Sequence, residues 1–157
     1  MLPGLTLVLG GAASGKSAFA EALVTRSGRG RVYLATAQAF DDEMRAKIDR
    51  HQRMRGEGWR TLEAPLDLGR ALATISGDQA VLLDCATMWL SNQMLAENDL
   101  SQAEAELMAG LALCSAPVVM TIAASARSAV SGAGRPDHIA AAPISAASPA
   151  GKRPAKG

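Results

Sequence analysis

The 157-residue chain is 48% apolar and 20% charged, with a formal net charge of +1 at pH 7. That length suits one domain with a sizeable core, and the near-neutral balance gives no case for nucleic acid or an anionic membrane as a partner. No apolar run approaches the roughly 18 residues of a membrane span, and MLPGLTLVLGG lacks the basic start of a signal peptide and breaks into glycines too early. A cytoplasmic protein is therefore expected. Its two cysteines, Cys85 and Cys114, have neither metal-ligand nor CxxC spacing. They read as reduced core residues, with a single disulfide as the alternative.

In chain order, LTLVL (5–9) is a short apolar run containing β-branched residues, as a strand covered on both faces requires. It leads into GGAASGKS and then AFAEALV, whose apolar residues recur at helical spacing. RVYLAT (31–36) is a second strand. Asp41 and Asp42 supply a cap and an acidic first turn for a helix to about Arg55, and basic residues gather toward its far end in keeping with the helix dipole. WRTLE (59–63) reads as a short strand, LDLGRALATI (66–75) as a helix and AVLLD (80–84) as a buried strand. The apolar helix CATMWLSNQML (85–95) follows. Ser101 and Glu104 are expected to form a capping box for a helix to about Cys114, before a strand at PVVMTIA (117–123). Strands alternating with helices predict an α/β fold, a mainly parallel sheet with helices on both faces.

That body spans residues 1–122. Residues 121–157 contain 12 Ala, 5 Ser, 4 Gly and 4 Pro, with no Leu, Met or aromatic residue, so they hold too little apolar surface to offset their ordering entropy. Residues 123–157 are expected to be a disordered tail, leaving the sheet incomplete at its C-terminal end.

Gly10, Gly11, Ala12, Ala13, Ser14, Gly15, Lys16 and Ser17 match G-x-x-x-x-G-K-[ST] at every fixed position. The glycines let successive N–H groups point at a phosphate, and the following helix adds its positive end. Lys16 would reach the β- and γ-phosphates, and the Ser17 hydroxyl would hold Mg²⁺. The motif lies between an apolar strand and an amphipathic helix, the context that separates a phosphate loop from an ordinary glycine turn. A second carboxylate on the metal side is expected at the end of a neighbouring strand, and Asp84 closes AVLLD. These residues imply a nucleoside triphosphate with Mg²⁺ but name no acceptor, because such loops serve kinases, motors, switches and transporters alike.

The charged stretch DDEMRAKIDRHQRMR carries one histidine, His51, just ahead of Arg53 and Arg55. On a helical wheel Met44, Ile48, His51 or Gln52, and Arg55 share one face. A solvated helix face would explain the charges. The alternative is chemical: imidazole is a nucleophile toward phosphorus, and neighbouring guanidinium groups would offset charge on a phosphate and disfavour protonated imidazole.

The stretches GGAASGKS, YLATAQAFDDEM, KIDRHQRMR, WRTLEAPLDL and VLLDCATMWLSNQ, in this order and spacing, closely resemble one family over about residues 5–120. It is the bifunctional adenosylcobinamide kinase/adenosylcobinamide-phosphate guanylyltransferase family of adenosylcobalamin synthesis. The resemblance implies a phosphate-loop NTPase-type fold that phosphorylates adenosylcobinamide with ATP or GTP. It then implies transfer of GMP from GTP, through a histidine, to give adenosylcobinamide-GDP. Carried over by position, His51 would accept GMP. Ala35, Thr36, Ala37, Gln52, Arg53, Met54, Arg55, Glu63 and Asp84 would contact nucleotide beside residues 10–17. A homotrimer is the assembly the family implies.

Two departures accompany the resemblance. The family's loop usually has Arg where Ala13 stands, which predicts weaker binding rather than loss, since the N–H cradle needs no side chain. Beyond about residue 122 nothing resembles the family's Ser-Asn-Glu-Val-Gly-like loop, long helix and final strand. The tail has the character of a frameshifted or truncated reading frame, and the alternative reading is a nucleotide-binding domain of this family without turnover.

Overall fold

A computed structural model describes residues 1–11, 14–38, 41–124 and 140–143, without the side chains of Lys47, His51, Met54 and residues 140–143. Ala12 and Ala13 of the loop, and residues 125–139 and 144–157 of the tail, lie outside the described residues. In chain order the elements are β1 (Leu5–Gly10), α1 (Lys16–Arg26), β2 (Gly30–Ala35), α2 (Asp42–Met54), β3 (Trp59–Glu63) and α3 (Leu68–Ala73). They continue with β4 (Gln79–Asp84), α4 (Ala86–Leu95), α5 (Leu100–Leu113), β5 (Val118–Ala123) and β6 (Ala140–Pro143).

The strands form one sheet in the order β3-β2-β4-β5-β1-β6. The first five run parallel, and β6 pairs antiparallel with β1. Period-two alternation sends side chains to two cores. Val32, Leu34, Val81, Leu83, Val118 and Met120 face α3, α4 and α5 through Leu68, Leu72, Trp89 and Leu107. Val8, Tyr33, Ala35, Ala80, Leu82 and Val119 face α1 through Ala20 and Val24. In β4, Ala80, Val81, Leu82 and Leu83 are all fully buried. At roughly 1.5–3 kcal/mol for each large apolar side chain, the centre of the sheet dominates stability. No described side chain of α2 is buried. Among the described residues no helix is long and apolar enough to cross a membrane.

Four sequence expectations change. The sheet gains a strand from the segment expected to be disordered: residues 140–143 pair with Thr6–Leu9 of β1. An unpaired strand edge offers backbone donors and acceptors to any chain, whatever its side chains, so an Ala-rich run can occupy it. The cap of α5 is Asp99 rather than Ser101, its Oδ1 accepting from Ser101 N at 2.9 Å and Gln102 N at 3.2 Å. A carboxylate two residues earlier, at the N-cap itself, competes better for those N–H groups than a hydroxyl inside the helix. Leu66 and Asp67 stay outside α3, where the Leu66 carbonyl accepts from Trp89 Nε1 and Gln93 Nε2. Finally, both cysteines are free, in keeping with the reduced reading, but they are half-buried rather than fully in the core.

Helices α3 and α5 touch through glycine. A Cβ on Gly110 would lie 2.5 Å from Gly69 Cα, and one on Gly69 would lie 2.7 Å from the Glu106 carbonyl oxygen. Both obstacles are backbone, which cannot rotate away. Gly110→Ala should therefore lower stability: overpacking of about 1–3 kcal/mol outweighs the helix-propensity gain of up to about 1 kcal/mol. The urea midpoint measures this, and an unchanged or higher midpoint would show that the helices can separate freely.

Candidate active site

The site gathers at the carboxyl ends of β1, β2, β4 and β5, where an open parallel sheet offers its crevice. At the end of β1, Gly10 has no room for a side chain, because a Cβ would collide with Ser14 Oγ. Ser14 N donates to the Gly11 carbonyl at 3.3 Å. Gly15 has φ +81°, a left-handed conformation that favours glycine, and is the N-cap of α1 without any side-chain capping bond. The first turn of α1 contains no acidic residue. Its N–H groups are therefore left for an anion. Lys16 Nζ folds back to the Gly11 carbonyl at 3.4 Å. The Ser14 hydroxyl is buried without a hydrogen-bond partner among the described residues, a cost of about 1–3 kcal/mol that an anion in the loop would relieve.

Asp84 closes β4 between β2 and β5. Its Oδ1 accepts from the Thr121 hydroxyl at 2.6 Å and its Oδ2 from the Tyr33 hydroxyl at 2.8 Å. Burial first, and then the neighbouring Asp84 charge, pushes the Tyr33 phenol well above its ordinary range, so Tyr33 acts as a donor. Cys85 caps α4, its Sγ accepting from Met88 N at 3.4 Å. Burial pushes its thiol up, opposed in part by the Met88 N–H and by Lys16.

Thr36 lies where a ligand-contacting side chain is expected, yet it is fully buried. Its hydroxyl sits 3.0 and 2.9 Å from the Asp84 and Cys85 carbonyl oxygens and accepts from Cys85 N at 2.9 Å. Thr36 thus ties the chain leaving β2 to the chain leaving β4. Asn92, 3% exposed, donates to the carbonyls of Thr36 at 2.7 Å and Pro65 at 3.0 Å, holding two loops from α4.

Asp41 Oδ1 caps α2 by accepting from Met44 N at 2.7 Å. The face of Met44, Ile48, Gln52 and the adjoining Arg55 meets Ala35, Thr36, Ala37 and Asp84 around a cavity of about 220 Å³. A neighbouring space of about 510 Å³ shares Ala37, Ile48 and Gln52 and adds Glu63. The structure thus brings together Ala35, Thr36, Ala37, Gln52, Arg55, Glu63 and Asp84. It does not bring Arg53, which is exposed and lines a groove with Ala46, Asp49 and Arg50 on another face of α2. His51 and Met54 lie in α2, and their side chains are outside the described residues.

Tyr33, Thr121 and Asn92 escaped the sequence reading. A signal for the first two existed: a hydroxyl within an otherwise apolar, fully covered strand must find a partner. Nothing local marks Asn92, whose partners lie 56 and 27 residues away.

The sequence model described as cobinamide kinase/cobinamide phosphate guanyltransferase matches residues 6–127. The bifunctional adenosylcobalamin biosynthesis protein CobP of Pseudomonas aeruginosa is 46% identical over 93 residues, 59% of this chain and 54% of the relative. CobU of Escherichia coli is 45% identical over 89 residues, 56% and 49% of the two chains. CobU of Salmonella typhimurium is 42% identical over 102 residues, 62% and 56%. The chain spans about half the length of the curated relatives it matches. Among solved structures, the RadB recombinase superposes with a TM-score of 0.52 at 20% identity, over 78% of this chain and 62% of that one, a likeness of fold alone. By its matching family model and these relatives, the chain belongs to the cobinamide kinase/cobinamide phosphate guanyltransferase family of cobalamin biosynthesis.

Proposed function

We propose that the chain phosphorylates adenosylcobinamide with ATP or GTP and then converts the product to adenosylcobinamide-GDP in the cytoplasm. The observation that carries this reading is the phosphate loop itself. Its left-handed Gly15, an α1 without a side-chain cap and a Ser14 hydroxyl with no partner among the described residues support a cradle for an anion. Family membership supports a cobinamide as the acceptor. In the first step the acceptor's hydroxyl oxygen attacks the γ-phosphorus and gives up its proton to water, the bond to the β–γ bridging oxygen breaks, and the nucleoside diphosphate leaves. Lys16 holds the β- and γ-phosphate oxygens and offsets the charge shifting between them.

In the second step an imidazole nitrogen of His51 attacks the α-phosphorus of GTP and pyrophosphate leaves. A phosphate oxygen of adenosylcobinamide phosphate then attacks the guanylyl phosphorus, and the imidazole departs intact. Gln52 and Arg55 face the cavity beside Asp84, which supports a role for this end of α2 in nucleotide contact. Mg²⁺ suits the donor set, one carboxylate from Asp84 and one hydroxyl from Ser17, both hard oxygens. When bound, it would neutralise charge on the phosphates.

Lys16→Ala should keep the fold and lose a charge-assisted bond of about 1.5–3 kcal/mol, weakening GTP binding about tenfold to a hundredfold. Fluorescence titration with a GTP analogue checks this, and equal affinity in both proteins would remove the phosphate-loop assignment.

Incubation with α-labelled GTP and Mg²⁺ should leave GMP on the chain, whereas γ-labelled GTP should leave no such label. The phosphoramidate should be lost in mild acid and kept in alkali, because protonating the nitrogen makes imidazole a good leaving group. His51→Ala should abolish the label yet retain at least part of the kinase step. Label that persists in His51→Ala, or that maps to His138, would refute the histidine assignment. Nucleotide binding without any label in the wild type would favour a domain that binds but does not turn over.

A further inference from the structure

Helix α2 carries the histidine on which the second step depends, yet none of its described side chains is buried. Its C-terminal end is held by Arg55, whose guanidinium carbon lies 3.3 Å from the centroid of the Tyr33 ring. Tyr33, the chain's one tyrosine, is 8% exposed, and its hydroxyl donates to Asp84 Oδ2 at 2.8 Å. A single side chain therefore touches both the strand-end carboxylate and the residue that closes α2. Trp59 packs edge-on against the same ring, with centroids 6.5 Å apart, and keeps it from swinging away.

The two contacts reinforce each other. A phenol that donates to a carboxylate becomes electron-rich, and a richer ring attracts a guanidinium on its face more strongly. Positive charge at Asp84 does the reverse: it draws electron density from the carboxylate, weakens the bond from Tyr33 and so loosens the ring's hold on Arg55.

We propose that Tyr33 is a positioning residue that couples charge at Asp84 to the seat of α2. With Asp84 free, the ring parks Arg55. With Asp84 engaged by a metal–nucleotide complex, Arg55 is released toward the phosphates and α2 shifts with it. The proposal rests on reading the phosphate loop and Asp84 as a triphosphate site. It needs no chemistry from Tyr33 itself.

The test uses the full chain with α,β-methylene GTP, which cannot give up GMP, and follows hydrogen exchange of the α2 amides. In the wild type, adding Mg²⁺ to the nucleotide complex should change exchange in the last turn of α2 about threefold or more, the scale of a cation–π contact expressed as an equilibrium. Tyr33→Phe keeps the ring and removes only the hydroxyl. It should still bind the Mg²⁺ complex by fluorescence titration, with an affinity lowered by the lost bond to Asp84, but at saturating nucleotide its α2 exchange should no longer respond to Mg²⁺. Equal exchange responses in the two proteins would overturn the proposal alone. Loss of Mg²⁺-dependent binding in Tyr33→Phe would also overturn it, making Tyr33 part of the binding site instead. A wild type that binds no nucleotide would overturn the phosphate-loop reading, and this proposal with it.

Discussion

The site depends on one half-buried carboxylate held by two hydroxyls. Asp84 ends β4, and the flanking strands each contribute a donor: Tyr33 from β2 and Thr121 from β5. Each hydrogen bond to a charged acceptor is worth roughly 1.5–3 kcal/mol, against the cost of drawing the charge partly out of water. The net stabilisation is small, but the orientation is fixed. Parallel register makes this possible: Leu83 lies opposite Met120, which brings the next residues, Asp84 and Thr121, together. Tyr33 pairs with Leu82, diagonally within reach of the same carboxylate.

Around this point the chain is tied down unevenly. Thr36 joins the exits of β2 and β4, while Asn92, Trp89 and Gln93 of α4 hold the loops after β2 and β3 by their carbonyls. These bonds keep the cavity walls rigid on the sheet side. On the other side the described side chains of α2 are at most half-buried. A wall fixed by buried hydrogen bonds and a wall whose described side chains are at most half-buried differ in how readily they move. That asymmetry suits a site proposed to handle two phosphorus centres in turn.

Much of the framework was legible in the residues because it follows from local rules. Apolar runs covered on both faces marked the parallel strands, helical spacing marked the helices between them, and the glycine pattern before Lys16 marked the turn that joins β1 to α1. Asp84 was legible from its place at the end of an apolar strand. Where local rules compete, the reading slipped: Ser101 has the spacing of a cap, but the stronger acceptor Asp99 takes the N–H groups. The Ala-rich tail has a disordered composition, yet residues 140–143 pair along β1, because backbone hydrogen bonding ignores side-chain identity.

The sequence by itself determined the strand–helix alternation, the glycine-rich turn proposed to receive phosphate and the family to which the chain belongs, since these reside in residues adjacent along the chain. Only the tertiary structure decided that Tyr33 and Thr121 grip Asp84 and that Thr36 serves the backbone. It also decided that Gln52 and Arg55 face the cavity while Arg53 does not. Those choices bring together residues as much as 51 positions apart, or set the rotation of a helix about its axis. Both depend on how elements pack against each other, which hydrophobic periodicity constrains only to a broad face and not to a single side chain.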